Sequence, residues 1–504
     1  MEGEGKQMED FLKWAANQGI SDCPNHLLQS SPSSTLGQSL LISQFPDAGG
    51  RGLAAARDLR KGEPILRVPR PALLTSESVL KDARLAVSVK RRTYLSSIQV
   101  LAVCLLAEVG KGRASWWYPY LVQLPHTYNT LSSFTPFGIR ALQVDDAIWT
   151  SEKAVSRAQS DWKEALALMK ELELKPQLLS FRSWLWASAT ISSRTLHIPW
   201  DEAGCLCPVG DFFNYAAPEE ESLFWEDVES MEGAPPLQIS SLGKDKDVAE
   251  KLDVEGLERH SQRLTDGGYE EDVAAYCFYA RKRYRKGEQV LLCYGTYTNL
   301  ELLDHYGFLL NENPNEKAFI RLDMGMGSTN PWPKDSLYIQ QDGKPSFALL
   351  SALRLSVTAP KLRKAVGHLA YSGSILSAEN EISVMKWVSK KCRDLLEEMP
   401  TSIEEDSLLL CSIEKLQNHP IPEEVVEMLA CGGELCDFFE VNGLQKGAVS
   451  EFLLPGKAKR SMERWKLAVQ WRFRYKRILS DCISYCSNMN DHFSSQQVSG
   501  MSRN

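Results

Sequence analysis

The chain has 504 residues, enough for two to four domains, with the 43% hydrophobic and 24% charged content of ordinary globular protein. A net charge of −8 excludes a chain built as a whole to bind nucleic acid. The longest apolar run, Ile98 to Ala107, is too short to span a bilayer, and the polar, acidic first ten residues are neither a signal core nor a transit peptide. A cytosolic or nuclear protein is expected. The 12 cysteines are expected to be reduced. Their closest spacings (Cys205 and Cys207, Cys431 and Cys436, Cys482 and Cys486) give no paired knuckles, so no metal site is expected.

Along the chain, Ser39 to Phe45 reads as an extended apolar segment, followed by the glycine-rich turn Asp47-Ala-Gly-Gly-Arg-Gly-Leu53. Leu53 to Ala56, a Lys61-Gly62-Glu63 turn and Pro64 to Val68 predict a hairpin. From Ser96 the period becomes helical, with Ile98, Leu101, Leu105 and Val109 on one face. A second helix is expected over 151–174, its apolar face at Leu166, Met169 and Leu172, stopped by Pro176. A tryptophan-rich third runs from Leu178 to Ala189, and strand character returns over Leu206 to Phe213. Residues 218–272 shift to Glu, Asp, Gly and Pro and read as a solvated, flexible insertion. Ala274 to Ala280 and Gln289 to Tyr294 are expected strands around the turn Arg285 to Glu288. Beyond about 346 the pattern is helical. There, Ser461 to Cys486 carries Trp465, Ala468, Tyr475, Leu479, Cys482 and Cys486 on one stripe with Arg472, Arg474, Lys476 and Arg477 among them. That pattern suits a basic-faced core helix or a partner-docking face.

Four short segments carry chemical potential together: Gly49-Gly50-Arg51-Gly52-Leu53, Ser192-Ser193-Arg194, Gly210-Asp211-Phe212-Phe213-Asn214-Tyr215, and Cys293-Tyr294-Gly295 continuing to Asp304-His305-Tyr306-Gly307-Phe308. Each alone is an ordinary turn or strand end. In this order they resemble the SET domain of the subfamily typified by the plant Rubisco large-subunit methyltransferase, and the related actin-histidine methyltransferase. The resemblance spans about Ser39 to Phe308. It continues into Arg464 to Arg472 and Tyr475 to Leu479, which look like the end of that family's substrate-binding domain.

The resemblance implies an α+β fold: small curled β-sheets with a knot-like crossing and a helical insert at about 90–190, followed by a helical substrate-binding domain over 346–490. Residues 1–35 are an N-terminal segment, the SET domain runs over 36–308, and the acidic insertion lies within it. The implied reaction is methyl transfer from S-adenosylmethionine to a side-chain nitrogen of a protein docked in the SET cleft and against the helical domain. A monomer is expected, with neither nucleic acid nor membrane as partner.

Roles follow from the matched positions. Gly49, Gly50 and Gly52 let the backbone approach the cofactor, with Arg51 contributing mainly backbone. Arg194 offers a fork of donors to the cofactor's carboxylate. Asp211, Asn214 and Tyr215 sit where the family places its Asn-His turn, and Phe308 where the adenine ring packs. The family's histidine is Tyr215 here. Tyr294 is the expected catalytic tyrosine, and Tyr306 a second channel tyrosine as in lysine-methylating members. The histidine-methylating relative has an asparagine two residues after the matched arginine, and this chain has Leu196. Lysine is therefore the expected acceptor, against the alternatives of histidine and of a catalytically silent binding module.

Overall fold

In the computed structural model, which describes residues 2–23, 36–46, 50–218, 266–322, 332–417, 433–444 and 455–501, short strands pair mostly with partners far away in sequence. β1 (Leu40–Phe45) and β2 (Gly50–Ala55) form an antiparallel pair with Phe45 opposite Gly50. β2 also pairs with β9 (Gln289–Leu292), and β9 pairs in parallel with β6 (Asn214–Tyr215), giving the sheet order β1-β2-β9-β6. β3 (Pro64–Pro69) joins β8 (Ala275–Tyr279) and the edge strand β7 (Gly267–Glu270) in a second sheet. β4 (Thr195–Ile198) and β5 (Asp201–Leu206) make a separate antiparallel pair.

Three strand expectations are corrected. The hairpin predicted over 53–68 does not form, because β2 and β3 belong to different sheets. The connecting segment instead docks on the chain after β8: Leu59 exchanges backbone hydrogen bonds with Tyr284, and the Gly62 N–H donates to the Ala280 carbonyl. Strand character expected over 206–213 ends at Leu206, and Gly210–Phe212 is a 3₁₀ turn that aims Asp211 inward. The insertion expected over 218–272 is shorter at its C-terminal end, since β7 starts at Gly267; residues 219–265 lie outside the described residues.

The helix expected from Ser96 runs over Ser97–Lys111, with Ser96 and Gln99 forming a reciprocal capping box. Its predicted single face is too narrow. Ile98 is 46% exposed, whereas Val100 to Leu106 are all buried, because neighbours pack on several sides. The next helix begins at Asp145, earlier than expected. It ends at Glu171, where Glu173 takes a left-handed conformation (φ 52°) ahead of Pro176. The tryptophan-rich helix is Phe181–Arg194, N-capped by Ser180. The N-terminal segment contributes a helix, Glu2–Asn17, whose Phe11 is buried with its ring 5.6 Å from that of Phe212.

Three apolar cores result. One joins the strands to Phe11, the 97–111 helix and Trp184. The second packs 131–147 of the insert against Ile413, Phe438, Trp465 and Val469, so the insert bridges catalytic and C-terminal regions. The third holds the hairpin of β10 (Lys317–Phe319) and β11 (Tyr338–Gln340) against helices Phe347–Val357, Ala378–Glu397 and Gly456–Met501. The C-terminal unit thus includes a small hairpin ahead of the expected helical start. On the long last helix, Trp465, Ala468, Leu479, Cys482 and Cys486 are buried, the core-helix reading of that stripe. Among the described residues no helix is long and apolar enough to cross a membrane.

Candidate active site

β9 is flanked by β2 and β6, and its buried Val290 and Leu292 anchor it from below. The chain leaving it carries Tyr294 beside the end of β6, where the Tyr294 hydroxyl donates to the Phe213 carbonyl. Asn214 sits opposite Leu291, and its amide donates to the Arg51 carbonyl at 3.5 Å. A Cβ at Gly52 would stand 2.6 Å from that Asn214 amide nitrogen, so glycine is what leaves room for the Asn214 side chain to reach β2. Gly50 adopts φ +81°, and Gly49 lies outside the described residues. The Arg51 side chain does more than expected. It lies 4.2 Å over the Phe212 ring and donates to the Gln123 side chain at 3.1 Å and the Gln123 carbonyl at 2.5 Å. Burial lowers its pKa, against the pull of Asp211.

Arg194 is the last residue of its helix, so its side chain reaches past the helix end. Nη1 donates to the Asp211 carbonyl at 2.8 Å and to Asp211 Oδ2 at 3.1 Å. Tyr120 donates to the same oxygen at 3.0 Å. Burial raises the Asp211 pKa while Arg194 opposes the rise. On Arg194, burial works against the charge, but Asp211 and the phenols of Tyr128 and Tyr120 outweigh it and the guanidinium is held protonated. Among the described residues, two buried atoms of this pair have no hydrogen-bond partner, Arg194 Nε and Asp211 Oδ1.

A cavity of about 480 Å³ opens beside this group. Arg194, Leu196, Asp211, Asp266, Leu292, Tyr294 and Tyr306 are among the residues that line it. Tyr306 caps the helix Asn299–His305, which is fixed by a Thr298–Glu301 capping box and by Ser192 donating to the His305 carbonyl at 2.8 Å. Gly307 (φ +79°) lies against the backbone of Asn129 and Thr130, where a Cβ would come within 2.9 Å. The aromatic rings form a continuous group: Tyr294 is 5.2 Å from Tyr306 and 5.3 Å from Tyr215, and Phe308 is 6.1 Å from both Tyr215 and Tyr306. Tyr215 donates to the Gly295 carbonyl at 2.7 Å, and burial pushes its pKa up to about 12. Burial also raises the pKa of Tyr294 and Tyr306, so all three phenols are neutral at physiological pH.

The expected residues within the described part of the chain therefore gather around one cavity and the β2–β6 junction. Sequence reasoning missed Tyr120, Gln123, Tyr128, Asp266 and Tyr297. Tyr297 packs 5.5 Å from Tyr306 with their hydroxyls 3.4 Å apart. It stands three residues after Tyr294, and that nearness is the signal that could have found it. The others come from the insert or from beside the acidic segment, where no motif marks them.

Comparison with known proteins bears on the family and the fold. Residues 315–479 match the family model described as Rubisco LSMT substrate-binding. The chain is 52% identical to Protein SET DOMAIN GROUP 40 of Arabidopsis thaliana, covering 97% of each chain. It is 25% identical to SET domain-containing protein 4 of Homo sapiens, over 70% of this chain and 76% of that one. It is 24% identical to the human actin-histidine N-methyltransferase, over 80% of this chain and 63% of that one. In fold it is similar to a crystal structure of the SET domain of LSMT bound to lysine and AdoHcy. That match has a TM-score of 0.55 at 16% identity, covering 98% of this chain and 92% of that one.

Proposed function

The chain belongs to the Rubisco LSMT-like SET-domain family, and from that premise we propose that it is an S-adenosylmethionine-dependent protein-lysine N-methyltransferase. The observation that carries this reading is the meeting of Tyr294, Tyr306 and Leu196 on one cavity beside the Arg194–Asp211 pair. The solved relative that is similar in fold holds lysine and AdoHcy. The residues present fit the cofactor. Arg194 Nε and Asp211 Oδ1 are buried without partners, as groups awaiting a carboxylate and an ammonium are. Gly52 leaves the Asn214 amide the space a side chain would take.

When bound, S-adenosylmethionine supplies a methyl group on a sulfonium, open to attack by a nitrogen lone pair. Arg194 and Asn214 hold the cofactor, and Phe308 and Tyr215 give it an aromatic wall. Tyr294 uses its proton on the Phe213 carbonyl, so the lone pairs of its oxygen remain to face the reacting centre. Its raised pKa keeps it neutral and unsuited to act as a base. The acceptor must be a neutral amine. That form becomes more abundant as pH rises toward the ordinary lysine pKa, so the rate rises toward alkaline pH. Tyr306 and Leu196 line the path for the four-carbon stem, and positioning supplies much of the acceleration.

Leu196 decides between acceptors. An imidazole needs a partner for one ring nitrogen so that the other presents its lone pair, and leucine offers none. A silent binding module would have no use for a tyrosine hydroxyl fixed at the cavity. The protein substrate docks on the SET cleft and the C-terminal unit. We place the enzyme in the cytosol or nucleus, as a monomer without nucleic-acid or membrane partners.

The test is to incubate the enzyme with isotopically labelled S-adenosylmethionine and a protein extract, and to locate the added methyl by peptide fragmentation. Lysine is expected. Tyr294→Phe should lower turnover roughly a hundred-fold or more while cofactor affinity stays within about twofold. A methyl on a histidine ring, or full turnover in the variant, would defeat the reading.

A further inference from the structure

The cavity holds two carboxylates, and they differ. The Asp211 side chain is closed to solvent, with its Oδ2 held by Arg194 and Tyr120. Asp266 keeps 17% of its side chain open. Its Oδ2 accepts from the Cys293 backbone N–H at 3.0 Å, one residue before Tyr294. Asp266 immediately precedes β7 and shares the cavity wall with Tyr294 and Tyr306. The lining also carries Arg194 and His197, but of its two carboxylates Asp266 is the one with an open face toward the cavity, where a further cation would offset its desolvation.

We propose that Asp266 recognises the substrate lysine in its ammonium form, holding the cation at the cavity wall beside Tyr294 and Tyr306. This rests on the lysine reading above. The charged and titratable groups around it leave it that role. Arg281, in the loop after β8, forms an ion pair with Asp266 at 3.9 Å through Nε, too long for a hydrogen bond, so the carboxylate keeps an oxygen for a second cation. Arg194 is engaged by Asp211. His197 on β4, the Cys293 thiol and the phenols of Tyr269 on β7, Tyr276 on β8, Tyr294 and Tyr306 complete the titratable lining. Burial raises the Asp266 pKa, and the Cys293 N–H and Arg281 work against that rise. The carboxylate does not serve as the base. An ordinary lysine ammonium holds its proton about a million-fold more tightly than an ordinary aspartic acid. Asp266 therefore selects and orients the cation, and the proton leaves to solvent before attack.

Asp266→Asn separates charge from structure, because the amide oxygen still accepts from the Cys293 N–H. The probes are free L-lysine and its neutral isostere 6-hydroxynorleucine, titrated calorimetrically into the full chain saturated with S-adenosylhomocysteine. The wild type should bind lysine roughly tenfold more tightly than the isostere. That preference should fade as pH rises through the ordinary lysine pKa of about 10.4. Asp266→Asn should lose the preference at every pH, while its affinities for the isostere and for S-adenosylhomocysteine stay within about twofold of wild type. A variant that keeps the wild-type preference would overturn the proposal. So would a wild type that shows none or does not bind lysine, or a variant that loses isostere and S-adenosylhomocysteine affinity as well. Failure of the lysine reading itself appears separately, as a methyl located on histidine or no transfer at all.

Discussion

Two buried charge clusters, one in each half of the molecule, obey opposite rules. In the C-terminal unit, Arg472, Lys476 and Asp406 are fully buried. Arg472 spends Nε and Nη2 on Asp406 at 3.0 and 2.7 Å, and Nη1 on the Ala141 carbonyl at 2.7 Å and Glu434 at 3.1 Å. Lys476 donates to Asp406, to Gln143 and to both the carbonyl and hydroxyl of Thr401. In the catalytic half, the Arg194–Asp211 pair leaves Arg194 Nε and Asp211 Oδ1 without partners. Desolvated polar groups are costly when unpaired, so the satisfied cluster acts as a lock, whereas the unsatisfied one is, in the reading proposed above, the seat of the cofactor. The lock also spans regions, since Ala141 and Gln143 belong to the insert.

Removing the centre of the lock should have the largest effect. Asp406→Ala leaves Lys476 with no carboxylate and Arg472 with Glu434 alone, a loss of about 3–5 kcal/mol. Thermal or urea unfolding should show it as a strongly lowered midpoint, with cofactor affinity unchanged while the chain is folded. A loss below about 1 kcal/mol would break the comparison, because the C-terminal cluster would then not be a lock.

The contrast also marks where the sequence was readable. The 97–111 helix was legible because Ser96 and Gln99 cap it locally, and the turn before β9 because Gly287 takes φ +87°. Arg194, Asn214, Tyr294 and Tyr306 were legible through short segments whose order resembles a family. The β2–β3 hairpin failed because both strands prefer distant partners, and local turn chemistry does not report those. Arg472 and Lys476 stood on an apolar stripe, a conflict resolved by carboxylates 38 to 70 residues away, Asp406 and Glu434, with help from the insert. Asp266 borders a segment whose composition hides the strand that follows it.

Glu316 sharpens the comparison, because it is a buried carboxylate of a third kind. It accepts from the Asn299 backbone N–H at 3.1 Å, at the start of the helix that leads to Tyr306. Burial dominates, and its pKa rises from 4.5 to about 7 in spite of those bonds. The folded chain therefore holds this proton more tightly than the unfolded chain, and stability falls as pH rises from about 4.5 to 7. Glu316→Gln should remove that fall. It should unfold at a higher midpoint than wild type at pH 8, by up to about 3 kcal/mol, with the advantage gone near pH 4. An equal gap at both pH values would mean that ionisation of Glu316 is not its source.

The smallest effect on free energy tests the central claim, that the unsatisfied cluster is the cofactor seat. Calorimetric titration of S-adenosylmethionine should show one equivalent bound by the wild type. Arg194→Ala should bind about ten- to a hundred-fold more weakly, the loss of about 1.5–3 kcal/mol expected for a charge-assisted hydrogen bond. No binding by the wild type, or equal affinity in the variant, would contradict it.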